Sequence, residues 1–257
     1  MKKTAAALLC STMALTMAGC SSNGGETGTQ DTATEKPQEI LVGISPDYPP
    51  YESKDASGQL TGFDIEMTDW LFNWLNENGH NYSYEWVELD FDTIISALQA
   101  GQIDLGISGF TEDKDREGIF SDPYYNSAQV IVVHSNSDIS STADLNGKTV
   151  GAQQGATGEK AAGEIEGATV QAGTDINVLM ETLKADGLDA VVLDEAVAKN
   201  FAKNGDFKVL DEKLMEEQNV IYTTEANQEL MDQINEAIAA FLKSDEFETL
   251  SQKYFAE

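Results

Sequence analysis

Twice in this sequence an amphipathic helix runs through a tight turn into a short apolar strand that stops at a polar residue. Leu98-Gln-Ala-Gly-Gln-Ile-Asp104 and Leu183-Lys-Ala-Asp-Gly-Leu-Asp189 carry the two joins, and the strands end at Ser108 and Asp194. Ile94, Ile95 and Leu98 share one helical face before the first join; Ile176, Leu179, Met180 and Leu183 do so before the second. Helical periodicity alternating with short apolar runs predicts an α/β fold, and the repeated unit predicts two like lobes facing each other. In open α/β sheets ligands sit beyond the C-terminal ends of the strands, so Ser108 and Asp194 are the first residues to consider as site residues.

The remaining elements fit between these units. Glu39 to Ile44 reads as a first strand. It is followed by Ser45-Pro-Asp-Tyr-Pro-Pro-Tyr-Glu52, a stiff loop that presents aromatic rings at the strand's end. Gly62-Phe63-Asp64 leads into a helix with Asp64 as N-cap and Met67, Trp70, Leu71, Trp74 and Leu75 on its inner stripe. Gly79 ends it, and Tyr82 to Val87 alternates like a strand. Asp90 and Asp92 open the next helix and read as capping and dipole residues, not as a metal pair, since His80 and His134 lie far off in sequence. Ala128 to Val133 and Thr149 to Ala152 read as strands, as do Leu188 to Leu193 and Phe207 to Leu210. Gly187 should end the helix of Asp175 to Ala185, and Glu225 to Lys243 reads as an amphipathic helix.

Charge narrows the partners. The chain of 257 residues carries 45 Asp and Glu against 15 Lys and Arg, a formal charge of −30. Nucleic acid and anionic lipid surfaces would repel it. Lys2 and Lys3 precede an apolar stretch too short to span a membrane, so residues 1–19 read as a signal peptide. Met17-Ala-Gly-Cys20 resembles a bacterial lipobox, which implies a lipid anchor on Cys20. The other cysteine, Cys10, lies inside the signal, so the mature chain has no disulfide chemistry. Residues 20–38 are Gly-, Ser- and Thr-rich and read as a flexible tether.

Residues 101–116 carry the chemistry. A turn glycine, Gly101, precedes a strand from Ile103 to Ile107, and Ser108-Gly109-Phe110-Thr111 leaves it in small and hydroxyl residues. Arg116 follows and can fold back over that run, making a carboxylate clamp of guanidinium, backbone and hydroxyl donors. The Gly-rich turn Gln153-Gln-Gly-Ala-Thr-Gly158 enters a helix and is a second natural anion site, without the Gly-Lys-Ser/Thr ending of a phosphate-binding loop.

Taken in order and spacing over residues 39–257, these motifs resemble the family 3 extracellular solute-binding proteins, the amino-acid receptors of ABC importers. The resemblance rests on Pro49-Pro-Tyr-Glu52, Gly62-Phe-Asp-Ile-Glu66, Phe91-Asp92, Gly101-Gln-Ile-Asp104, the clamp stretch through Arg116 and Ser121-Asp-Pro-Tyr-Tyr125. Lys148 to Thr157, Leu193-Asp-Glu195 and Lys253-Tyr-Phe255 extend it. It implies the two-lobed, type II periplasmic-binding-protein fold, with strands crossing between lobes near 129–135 and 217–223. Lobe 1 would be residues 39–133 plus 221–257, and lobe 2 residues 134–220. It also implies roles. Arg116, Thr111, Gly109 and Ser108, with Thr157 and Gly155 from the other lobe, would hold the ligand α-carboxylate. Asp194 would receive the α-ammonium. Tyr48, Phe91, Ser45, Phe110 and Gln153 would line the side-chain pocket.

A zwitterion buried in a cleft needs both charges paired, and neither lobe alone supplies both, so binding should favour lobe closure. Basic-amino-acid members of the family often carry an acidic residue where this chain has Ser45, which favours another polar amino acid. The expected partners are an amino acid, an ABC permease and, through Cys20, the membrane; the expected state is a monomer on the extracellular face of the cytoplasmic membrane. No cofactor, metal or catalytic residue is expected. A cyclohexadienyl or arogenate dehydratase on the same fold would need a carboxylic general acid, which the sequence does not single out. A ligand-sensing receptor domain would be expected to continue into a membrane helix beyond residue 257. There is no nucleophile–base set for peptide cleavage.

Overall fold

The computed structural model describes residues 36–256. The signal peptide, Cys20 and the tether as far as residue 35 lie outside them.

The described chain begins with β1 (Gln38–Ile44), the proline-rich loop and a short hairpin of β2 (Ser53–Lys54) and β3 (Leu60–Thr61). Then come α1 (Phe63–Glu77), β4 (Tyr82–Glu88), α2 (Phe91–Gln99), β5 (Leu105–Gly106) and β6 (Ile119–Phe120). They are followed by β7 (Tyr125–His134), β8 (Thr149–Gln153), α3 (Thr157–Gly163), β9 (Thr169–Gly173) and α4 (Ile176–Lys184). The chain closes with β10 (Ala190–Asp194), α5 (Glu195–Ala202), β11 (Phe207–Asn219), β12 (Tyr222–Thr223), α6 (Gln228–Phe241) and α7 (Asp245–Phe255).

Two five-stranded sheets organise these elements, in the orders β4-β1-β5-β12-β6 and β11-β7-β10-β8-β9. In the first, β1 runs parallel to both β4 and β5. In the second, β8 runs parallel to β9 and β10, and β7 is antiparallel to β10 and β11. The parallel strands β1, β5, β8 and β10 therefore deliver Ser45, Ser108, Gln153 and Asp194 at their C-terminal ends.

Apolar periodicity explains the helices. Met67, Leu71 and Leu75 of α1 are fully buried and meet Ile234, Ile238 and Phe241 of α6 in the first lobe's core. Each such side chain contributes about 1.5–3 kcal/mol of transfer free energy. Trp70 and Trp74 pack partly buried against the same core. In the second lobe, Ile176, Leu179, Met180 and Leu183 of α4 cover β10 and β7.

Several boundaries differ from the sequence expectation. The lobe boundary drawn at residue 133 falls inside β7, because Tyr125 to His134 pairs with β10 and β11 of the second sheet. The first passage between sheets lies at 121–125, ahead of the expected 129–135, and the second at 219–222, within the expected 217–223. Asp64 does not cap α1: the helix starts at Phe63 with Gly62 as N-cap (φ 141°), and Asp64 turns inward from the first turn. The left-handed residue after α4 is Asp186 (φ 59°), not Gly187.

Candidate ligand-binding cleft

The loops at the four strand ends meet between the lobes. Arg116 spans the gap: Nη1 donates to the Thr111 carbonyl at 3.2 Å and Nη2 to the Gly155 carbonyl at 3.0 Å. Its guanidinium lies 5.2 Å from the Phe110 ring centroid and 5.6 Å from that of Tyr222, an arrangement favoured by cation–π attraction. Burial pulls its pKa below the usual guanidinium value, while the charge of Asp113 opposes that. Thr111 Oγ1 and Thr157 Oγ1 are 3.0 Å apart across the cleft. The structure thus brings together Arg116, Thr111, Gly155 and Thr157. At the rim, Lys160 Nζ donates to Asp113 at 2.7 Å and Asp115 at 2.8 Å, and Gln154 Nε2 donates to Asp92 at 2.8 Å.

Other expected donors are committed elsewhere. The Gly109 N–H donates to Asp64 Oδ2 at 2.9 Å, and the Ser108 hydroxyl donates to Glu52 Oε1 at 2.8 Å. The Gly155 N–H donates to Glu159 at 2.8 Å. Phe110 is fully buried and stacks on Phe91 with centroids 4.4 Å apart, so the two form one wall. Tyr48 stacks on Tyr51 at 6.1 Å, and its hydroxyl accepts the Asp194 N–H at 3.2 Å.

Asp194 ends β10 and caps α5, accepting the Ala196 N–H at 2.9 Å. The Tyr51 hydroxyl lies 3.3 Å from Oδ1 and 3.4 Å from Oδ2 of Asp194, and 3.1 Å from Asn219 Oδ1. Burial pushes the Asp194 pKa up to about 7, against the hydrogen bonds of Ser127, Ala196 and Tyr51.

Acids missed from the sequence crowd the same space. Asp47 accepts from Ser45 Oγ at 2.9 Å and, across the cleft, from the Ile176 N–H at 2.8 Å. Gln153 Nε2 lies 3.3 Å from its Oδ2. Burial raises the Asp47 pKa to about 6. Glu52 and Asp64 are buried beside each other, and burial raises both pKa values, that of Glu52 well above its ordinary value and that of Asp64 to about 6. Two like charges in contact cannot both ionise, so Glu52 holds a proton and Asp64 stays the acceptor for Gly109 and Tyr124. Glu217 Oε2 accepts from Thr157 Oγ1 at 2.8 Å, and its Oε1 accepts from Gln129 Nε2 at 2.5 Å. Among the described residues four carboxylates are buried, Asp47, Glu52, Asp64 and Asp194, and no lysine or arginine is.

The interlobe cleft thus has a guanidinium on one side and a strand-end aspartate on the other. Residues 40–257 match the bacterial extracellular solute-binding proteins, family 3. The chain belongs to this family. Among this family 3 protein's relatives is the arginine-binding extracellular protein ArtP of Bacillus subtilis, 33% identical over 96% of this chain and 94% of ArtP. The histidine-binding periplasmic protein of Salmonella typhimurium is 34% identical over 85% of this chain and 88% of that protein. The arginine-, lysine-, histidine-binding protein ArtJ of Geobacillus stearothermophilus superposes with a TM-score of 0.79 at 29% identity, covering 86% of this chain and 96% of ArtJ. The type II two-lobed fold expected from the sequence is the fold of these solute-binding proteins, which are extracellular or periplasmic. No helix among the described residues is long and apolar enough to cross a membrane.

Two of the missed acids of this family 3 chain stood in a loop the sequence does mark. Asp47 sits between Pro46 and Tyr48 in the strand-end loop, and Glu52 closes the Pro-Pro-Tyr-Glu run. Glu217 lay in a polar stretch with no apolar pattern to mark a strand.

Proposed function

We propose that this protein captures a basic amino acid between its lobes and hands it to an ABC importer without changing it chemically. Arg116, Thr111 and Thr157 hold the α-carboxylate, Asp194 receives the α-ammonium, and Tyr48 and the Phe91–Phe110 wall flank the side chain. Asp47 receives the cation at the side chain's end. The observation that carries this reading is the pair of buried cleft carboxylates, Asp47 and Asp194, with no buried lysine or arginine among the described residues. Buried charge is costly unless paired, and a ligand with two positive groups supplies the missing partners. Ser45 argued against a basic ligand in the sequence, but its hydroxyl donates to Asp47 at 2.9 Å, so an acid stands beside that position after all. The arginine-, lysine- and histidine-binding relatives support the same ligand class.

The test is a titration of wild type and Asp47→Asn with arginine, lysine, histidine and glutamine. Wild type should bind a basic amino acid tightest. Asp47→Asn should lose about 2 kcal/mol or more for that ligand and little for glutamine, because only the former strands a charge. Equal losses for both would overturn the assignment of Asp47. The lipobox-like sequence supports a lipid anchor at Cys20; Cys20→Ala should then move the protein from the membrane to the soluble fraction, and unchanged membrane recovery would overturn this.

A further inference from the structure

The carboxylate clamp contains a carboxylate of the chain's own. Glu217 lies on β11, two residues before the passage back to the first lobe, and its carboxylate is partly buried. Thr157 Oγ1 donates to Oε2 at 2.8 Å, and Gln129 Nε2 donates to Oε1 at 2.5 Å. Thr111 Oγ1, from the other lobe, lies 3.0 Å from Thr157 Oγ1, and the Arg116 charge acts favourably on Glu217. Thr157, Thr111 and Arg116 are the groups assigned above to the ligand's α-carboxylate. With Gln129 they offer hydroxyl, amide and guanidinium donors to an anion. A carboxylate has four acceptor sites, and two carboxylates cannot occupy one set of donors without like-charge repulsion.

We infer that Glu217 is an internal competitor for the α-carboxylate site, a placeholder that an incoming amino acid must displace. This rests on the receptor reading proposed above and adds a specificity-determining residue to it. The geometry favours displacement over direct recruitment of Glu217 as an ammonium acceptor, because the groups facing its oxygens are the clamp's own donors. Displacement has two consequences. The apparent affinity is the intrinsic affinity scaled by the fraction of molecules in which the clamp is free. A ligand lacking a free carboxylate gains nothing from evicting Glu217. Through the Thr157–Thr111 contact and the attraction of Arg116, Glu217 also links the lobes before a ligand arrives.

The experiment compares the purified protein with Glu217→Gln, titrated with arginine, lysine, histidine and the amides of the same three amino acids. The inference predicts that Glu217→Gln binds the free amino acid at least about fivefold more tightly than wild type, while the amide changes by less than about twofold. Weaker binding of both forms would overturn it and make Glu217 an ammonium acceptor. Unchanged binding of the free acid, in a wild type that binds and an Arg116→Ala variant that does not, would overturn the inference and leave the receptor reading intact. If none of the three binds wild type, the basic-amino-acid reading falls, and this inference with it. Thermal unfolding checks that Glu217→Gln folds. If it does not, Glu217→Asp, whose carboxylate reaches one methylene less far, should give the same tightening of the free acid relative to the amide, and no tightening would again overturn the inference.

Discussion

Arg116 is the residue on which the cleft turns. Its two carbonyl contacts, to Thr111 in its own lobe and Gly155 in the other, tie the clamp to both sheets. Removing it leaves a ligand carboxylate buried against Phe110 and Tyr222 with no counter-charge. Arg116→Ala should therefore cost about 2–5 kcal/mol of binding free energy by calorimetry, the range for stranding one member of a buried charge pair. An Arg116→Ala variant with near-normal affinity would contradict the assignment. That Arg116, Thr111, Thr157 and Asp194 meet between the lobes was legible in the sequence, because strand ends and Gly-rich turns mark where donors and acceptors converge. Asp47 and Glu217 were not. Their partners are far along the chain, 129 residues from Asp47 to Ile176 and 60 from Glu217 to Thr157, and no local pattern records such meetings. The Gly109 amide and Ser108 hydroxyl read as free donors, since the acids that take them, Asp64 and Glu52, approach from the first turn of α1 and from the proline-rich loop.

Elements show the same division. Helices α1, α2, α4 and α6 were legible because each buries one stripe. Strand β11 was legible only at its start: Asp211 to Glu217 is charged except at Leu214 and Met215, and its strand character is imposed by pairing along β7, with register shifts on the way. The start of α1 joins element to site. Gly62 has no side chain to cap the helix, so the carbonyls of Pro50 and Tyr51 take up the Phe63 and Asp64 N–H groups at 3.0 and 2.9 Å. This docks the aromatic loop on the helix. A Cβ at Gly62 would lie 2.1 Å from the Tyr51 carbonyl oxygen, at a φ of +141° that side chains rarely adopt. Gly62→Ala should destabilise by about 3 kcal/mol, lowering Tm by roughly ten degrees, and should weaken ligand binding through Tyr48 and Asp47 as well. A thermal melt and a titration on the same sample check both; a Tm within two degrees or so of wild type would contradict the account of this junction.

At the scale of the molecule, two sheets enclose more negative charge than their own side chains neutralise. Burial holds Asp47 at a pKa of about 6 and Asp194 at about 7, above an unfolded aspartate at 3.8. The folded state therefore keeps protons that the unfolded chain releases, and these two groups make the ligand-free protein less stable as pH rises from about 4 to 7. A cation placed against them favours the ionised form and lowers both values. Near pH 6.5 both groups are partly protonated before binding and ionised after it, so binding a basic amino acid should expel protons. Calorimetric titration with arginine at pH 6.5, repeated in two buffers of different ionisation enthalpy, reads affinity and proton count together. Tight binding with net proton release is the result expected if the buried acids receive the ligand's cations. Proton uptake, or no binding of arginine, lysine and histidine alike, would contradict it.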